Sequence, residues 1–402
     1  MKNKIRIIII VSVIIILLII DFMLLNKKEK IIESSIQDLN IQLDNNLEIN
    51  FLDEMKISDL LKTNEYTLLN DDYIDTSKIG INSIDVLLSK DKEKYKTSFK
   101  INIVDNVSPL IWLGNSYSIT RGSNDNLKEE ILCADNYDDI PNCEILGDYD
   151  LNKNGNYNLQ FKATDSSGNE TIKDFTLYVY EPSNSNKSYT YSTIDISKII
   201  KQYKNENTQI GIDVSEWQDE IDFEKIKDDG VEFIIIRIGS SKGTNGERFI
   251  DSEFLNNIKK ANNLNMPVGI YYFSYANSKE QAIDEAKWVL NLIKDYKVEL
   301  PIAYDWEDWS DYNSYHLSFY NLTEMAKGFM DTISEAGYTA MLYSSKNFLE
   351  NIWMKTKYKT WLAHYVDESS YKGEYSYWQL CSNGKVNGIN GGVDVNIRYL
   401  NK

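Results

Sequence analysis

From Gln209 to the C-terminus, hydrophobic residues gather into short, nearly continuous runs, and the stretches between them repeat apolar positions every three or four residues. The runs IGIDVS (210–215), FIIIRIG (233–239), PVGIYYFSYA (267–276) and PIAYDWED (301–308) have strand length and read as strands buried on both faces. Between or after them lie DFEKIKDDG, DSEFLNNIKKANNLN, SKEQAIDEAKWVLNLIKD and SFYNLTEMAKGFMDTISEAG, with Asp or Ser near their starts and Gly or Asn near their ends, as helices require. Strands alternating with helices predict parallel pairing. AMLYSS (340–345), KTWLAHYV (359–366), SYWQLCS (376–382) and GVDVNIRYL (392–400) bring the strand count to eight, with few helices after the fifth. The expected fold of residues 208–402 is α/β, a (β/α)8-like barrel that becomes irregular in its last part.

Upstream the rhythm changes. INSIDVLLS and TSFKINIVD alternate or run apolar over strand lengths around a charged KDKEK turn. The pattern then returns: DTSKIG (75–80) matches DLNKNG (150–155), and FKINIVD (99–105) matches FTLYVYE (175–181). This internal repeat predicts two small all-β sandwich modules, 31–105 and 106–181. Residues 134–181 resemble the bacterial immunoglobulin-like modules of surface proteins, with 31–105 a more divergent copy; the resemblance implies either a stalk or a carbohydrate or protein contact, and a pure spacer is the favoured reading. Residues 182–207 read as a linker that ends in a short amphipathic piece, IDISKIIKQY.

Residues 7–25 form an apolar run broken only by Ser12 and Asp21. About 19 residues rising roughly 1.5 Å each come close to a hydrocarbon core of about 30 Å, so the run predicts a transmembrane helix. Lys2, Lys4 and Arg6 precede it, and no small-x-small cleavage site follows in DFMLLNKKEK. The expected topology is an uncleaved single-pass anchor in the cell membrane, with residues 1–6 cytoplasmic and the remaining domains outside; a cleaved signal peptide and a secreted protein are the alternative. Lys27, Lys28 and Lys30 nearly balance the positive-inside comparison, so the orientation rests on the downstream domains.

Charge narrows the partners. A formal net charge of −18 over 402 residues supplies no basic footprint for phosphates and argues against a nucleic-acid partner. Cys133 and Cys143 flank the turn-rich ADNYDDIPN and suit a disulfide in an oxidising compartment, which leaves Cys381 as a packed small side chain. With His316 and His364 as the chain's two histidines, a multi-histidine zinc site is not expected, and neither a metal nor an organic cofactor is implied. Oligomeric state is not legible.

Four acids fall where a barrel of this class places its active site: Asp213 near the end of the first strand, Asp305 and Glu307 at the end of the fourth, and Asp394 in the last. Asp305 and Glu307 leave an extended chain on one face about 6.6 Å apart, with Trp306 turned the other way. Carboxyls crowded in a buried cleft raise one another's proton affinity, which suits general acid catalysis of glycoside cleavage. Asp308 and Glu216 read as solvated loop residues. Trp217, Trp306, Trp309, Trp361, Trp378, Tyr272, Tyr343 and Tyr365 lie at or near strand ends as candidates to stack on sugars, two or three of them in practice.

GIDVSEWQDEIDFEKIK, FIIIRIGSSKG, PVGIYYFSYA, LPIAYDWED, WLAHY and WQLCSNGKVNGINGGVDVN resemble, in order, the signatures of glycoside hydrolase family 25, the N-acetylmuramidase lysozymes. The resemblance runs from about Gln209 to the C-terminus. It implies hydrolysis of the β-1,4 bond between N-acetylmuramic acid and N-acetylglucosamine in peptidoglycan. By motif it makes Glu307 the proton donor and Asp305 the partner that orients the 2-acetamido group or stabilises charge. Asp213 and Asp394 complete the cluster, and Tyr272, Tyr343, Trp361, Tyr365 and Gln379 are the substrate-binding candidates. WQLC departs from the aromatic common after WQ. The anchor and spacers replace the wall-binding repeats of many secreted members, which points to a tethered wall-remodelling enzyme; a wall-binding protein without turnover and a glycosidase for another N-acetylated glycan are the rivals.

Overall fold

In the computed structural model the described residues are 31–181, 192–244 and 246–401. The expected membrane helix at 7–25 and the first part of the linker, 182–191, lie outside them. Among the described residues no helix is long and apolar enough to cross a membrane. The chain divides into two compact units at Asn106/Val107.

The first unit is mostly strands. Gly80–Lys90 and Glu93–Val104 form a long antiparallel hairpin, flanked by Thr67–Leu68 on one edge and by Ile31–Glu33 and Glu48–Asn50 on the other. Alternation sends Val86, Leu88, Phe99, Ile101 and Ile103 to one face, where Ile49, Ile57 and Leu60 close the core.

The second unit opens with another strand module. Gly155–Thr164 and Glu170–Tyr180 form its hairpin, with Asn142–Leu146 antiparallel on one side and Ser116–Thr120 parallel on the other. Phe161, Ala163, Phe175 and Leu177 supply the core. Leu110–Ile111 pairs with Cys133–Ala134, and Cys133 is disulfide-bonded to Cys143 as the sequence suggested. Cys381 is free and buried.

After residue 192 the α/β part begins. Its eight main strands are β1 (Thr208–Val214), β2 (Phe233–Ser241), β3 (Val268–Ser274), β4 (Ile302–Trp306), β5 (Ala340–Ser345), β6 (Lys359–Ala363), β7 (Tyr377–Lys385) and β8 (Val393–Tyr399). Strands β1 to β7 pair in parallel in chain order. Strand β8 runs antiparallel to both β7 and β1 and closes the barrel. The expected irregularity has two parts: no helix separates β6 from β7 or β7 from β8, and β8 is reversed. The helices are α1 (Ile196–Tyr203), α2 (Phe223–Asp228), α3 (Phe254–Asn263), α4 (Lys279–Ile293), α5 (Tyr312–Tyr315), α6 (Phe319–Glu335) and α7 (Lys346–Asn351). Helix α1 buries Ile196 and Ile199 in the barrel's outer core, and the preceding Ile194–Asp195 pairs with β7, so the α/β unit reaches back into the expected linker.

Two apolar layers form. Phe233, Ile235, Tyr271, Ala303, Met341, Tyr343, Trp361, Ala363 and Tyr377 fill the barrel, while residues of opposite parity, such as Ile234, Ile270, Tyr272, Tyr304 and Leu342, pack outward against the helices. Inward parity thus assigns each strand's mouth residue.

Candidate active site

Parity brings the four predicted acids to one end of the barrel. Asp213 and Asp305 are penultimate in β1 and β4, Glu307 stands one residue beyond β4, and Asp394 is the second residue of β8. The reversed β8 presents its N-terminal end at the mouth where β1 to β7 present their C-terminal ends; Asp213 and Asp394 are register partners across the β1–β8 ladder. Asp394 therefore reaches the site as an opening residue of its strand, not as a closing one.

Asp213 is held most firmly. Its Oδ2 accepts hydrogen bonds from Gln379 Nε2 at 2.9 Å and Asn396 Nδ2 at 2.7 Å. Each of those amides is oriented in turn: Asn396 Oδ1 accepts from Trp361 Nε1 at 2.7 Å, and Gln379 Oε1 accepts from the hydroxyls of Tyr343 at 2.9 Å and Tyr365 at 2.8 Å. The buried Asn396, Gln379, Trp361 and Tyr343, with the exposed Tyr365 at the edge, thus form one hydrogen-bonded network around Asp213.

Burial dominates the electrostatics. It pushes Asp213 up to about 6 against the pull of its two amide donors. Glu307 rises to about 7, first from burial and then from the Asp213 charge, and Asp394 to about 8 from burial, Asp213 and Glu307. Asp305, 4% exposed, is pushed well above the usual carboxylate range by burial, Glu307 and Asp213, with Arg237 opposing. Its Oδ1 finds no hydrogen-bond partner among the described residues.

Arg237 was missed in the sequence. It follows Phe233 and Ile235 on the inward face of β2, donating from Nε to Asp251 Oδ2 at 2.7 Å and from a terminal nitrogen to Glu216 Oε1 at 2.8 Å. Glu216 also accepts from Ser252 Oγ, so it belongs to this network and is not the free loop acid expected. Asp308 likewise accepts from the Tyr315 hydroxyl at 2.7 Å. A lone arginine inside the apolar run FIIIRIG was the available signal for the network.

The aromatic candidates separate. Glu307, Tyr343, Ala363, His364 and Tyr365 line a cleft of about 380 Å³ together with Ser345, Lys346 and Asn347. Tyr365 is 54% exposed there and offers a face to a ligand. Trp361 and Gln379 are buried beneath the cleft and act on the acids, with Trp361 edge-on to Tyr343 and Tyr271. Tyr272 lies elsewhere: it has outward parity and is fully buried between Trp288 and Phe329, whereas its neighbour Tyr271 faces inward. Trp306 turns away as expected, its Nε1 donating to Ala276 O, and Trp378 Nε1 donates to His364 O. Trp217 is exposed and Trp309 half-buried. A larger groove, lined by 219–225, Lys260 and 388–390, includes none of the four acids.

Residues 212–389 match the model of glycosyl hydrolases family 25. This segment is a family 25 glycosyl hydrolase domain. The autolytic lysozyme of Clostridium acetobutylicum is 27% identical over 188 residues, which cover 46% of this chain and 54% of that protein. The uncharacterized protein YegX of Escherichia coli K12 is 26% identical over 195 residues, 46% of this chain and 68% of YegX. The chain thus spans about half the length of the lysozyme. Among solved structures, the autolysin LytC of Streptococcus pneumoniae is 28% identical with a TM-score of 0.43, covering 60% of this chain and 56% of LytC. A family 25 glycosyl hydrolase of Bacillus anthracis is 20% identical with a TM-score of 0.43, covering 53% of this chain and 95% of that one.

Proposed function

We propose that the family 25 domain is a muramidase that hydrolyses the β-1,4 bond following N-acetylmuramic acid in peptidoglycan. The observation that carries this reading is Glu307, a carboxyl raised to about 7 by burial and the Asp213 charge, in a cleft that Tyr343 and Tyr365 also line. A glutamic acid of that affinity keeps its proton near neutral pH and can pass it to the glycosidic oxygen as the bond to the anomeric carbon breaks. The autolytic lysozyme relative and the family match support the same class of substrate.

Asp305 supplies the second half of the chemistry. Its buried, unpartnered Oδ1 is the acceptor that a substrate acetamide N–H would satisfy. Orienting that acetamide lets its carbonyl oxygen attack the anomeric carbon as the leaving oxygen takes the Glu307 proton. Water then opens the oxazolinium ring and returns a proton to Glu307, leaving both products neutral. Asp213, fixed by Gln379 and Asn396 and the first of these acids to ionise, supports the developing positive charge. Residues 7–25, read from the sequence as a membrane anchor, would hold the domain at the outer surface, in keeping with remodelling of the cell's own wall.

Reducing-end analysis of purified peptidoglycan tests the proposal. The full chain should release reducing muramic acid, and Glu307→Gln should lower the rate by about 10²–10⁴-fold while still sedimenting with the wall. Release of reducing glucosamine would make the enzyme a glucosaminidase. Wall binding by both proteins without sugar ends would make the domain a binding module.

A further inference from the structure

Helix α6 follows the catalytic strand, and the first N–H groups of any helix have no partner within it. Here most of those partners come from the second β module. Ser318 N donates to Asp139 Oδ1 at 2.7 Å, which also accepts from Asn321 Nδ2 at 2.6 Å. Phe319 N donates to Asp135 O at 2.8 Å and Tyr320 N to Asn136 O at 3.1 Å. Asp135, Asn136 and Asp139 all lie in the loop closed by the Cys133–Cys143 disulfide.

A second hold lies seven residues ahead of Tyr320. Asn313 Oδ1 accepts from Cys133 N at 3.0 Å, and its Nδ2 donates to Glu129 O and Ile131 O, each at 2.9 Å. A third is aromatic: Trp112 of the module stacks on Phe348 at 5.2 Å, and Phe348 stacks on Trp309 at 3.8 Å. Trp309 meets Trp306 edge-on at 4.9 Å, and its backbone N–H donates to Glu307 O at 2.8 Å. Glu307 is thus fixed on one side by the end of β4 and on the other by a segment that the module grips.

We propose that residues 129–143 of the second β module, the disulfide-closed loop with the turn before it, are a positioning element of the catalytic site: through Asp139 and Asn313 they hold residues 308–321, and thereby the Glu307 carboxyl, in working position. The module is then part of the catalytic unit and not the spacer its sequence suggested. The effect on turnover rests on the acid role given to Glu307 above; the mechanical hold does not.

The test uses the full chain and its Asp139→Ala, Asp139→Asn and Asn313→Ala variants. Asp139→Asn keeps the Oδ1 acceptor, so it should behave as wild type. Asp139→Ala should exchange the Ser318 amide, and Asn313→Ala the Cys133 amide, about tenfold faster, since each loses hydrogen bonds worth about 1 kcal/mol apiece. Their kcat should fall about tenfold with KM little changed, as a displaced acid predicts. The alkaline limb of their pH profile should also move down, because a looser Glu307 is better hydrated while Asp213, Asp305, Asp394, Tyr343 and Tyr365 still face it.

Unchanged exchange in the alanine variants overturns the hold. Faster exchange with an unmoved kcat and pH limb overturns the catalytic role, and an Asp139→Asn variant as impaired as Asp139→Ala overturns the assigned hydrogen bond. Should the wild type release no sugar ends, the muramidase reading fails, and the exchange comparison alone decides the hold.

Discussion

Glu307 carries opposite consequences for turnover and for stability. As proton donor it must be protonated, so kcat/KM should fall as pH rises through about 7, which a pH-rate profile on soluble wall fragments will read. For stability, burial raises the folded pKa above that of the unfolded chain, so the folded state binds the extra proton. That contribution is full below the unfolded value of about 4.5 and is lost as pH rises through about 7. Glu307→Gln removes the penalty: at pH 8 it should melt above wild type by roughly 3–6 °C for about 2 kcal/mol, and the gap should close near pH 4.5. A differential scan at both pH values checks the sign. The acids themselves were legible because an Asp-x-Glu on one face of a buried strand demands a reason. Tyr272 was not, since two adjacent tyrosines in β3 give no sign of which one faces the barrel, and parity there is set by the neighbouring strands.

At the level of elements, the barrel depends on which residues are small where β1 meets β2. A Cβ on Gly211 would stand 2.6 Å from the Phe233 ring, and that ring is fully buried within the barrel. Gly211→Ala should therefore cost about 1–3 kcal/mol by overpacking, read as a lower denaturant midpoint with an unchanged slope. Asn396→Leu should act differently: it strands Trp361 Nε1 and removes a donor from Asp213, raising the Asp213 proton affinity as well as costing about 1–3 kcal/mol. Carbon-detected NMR titration of Asp213 separates the two effects. All eight strands were visible as apolar runs, AMLYSS to the residue. The direction of β8 was not, because a strand buried on both faces has the same composition whichever way it runs, and only the missing helix between WQLCSNGK and GVDVNIRYL hinted at a hairpin.

At the scale of the molecule, sequence texture alone divides the chain into strands before residue 181 and a barrel after it, yet the second unit joins the two textures. The reason lies in contacts far apart along the chain: Asn313 and Ser318 meet residues some 180 positions earlier, and no local pattern records that. The outer barrel core also includes Leu132 and Ala134 of the module. If this packing is part of the fold, residues 107–402 should unfold in a single cooperative transition, because opening the module would strip the first turn of α6 of its acceptors and expose Trp309 and Phe348. A chain of residues 192–402, cut where composition changes, should then melt lower than 107–402 and bind a hydrophobic dye that the longer chain does not. Separate transitions in residues 107–402, with the shorter chain as stable as the longer, would show that the barrel carries its catalytic strand unaided.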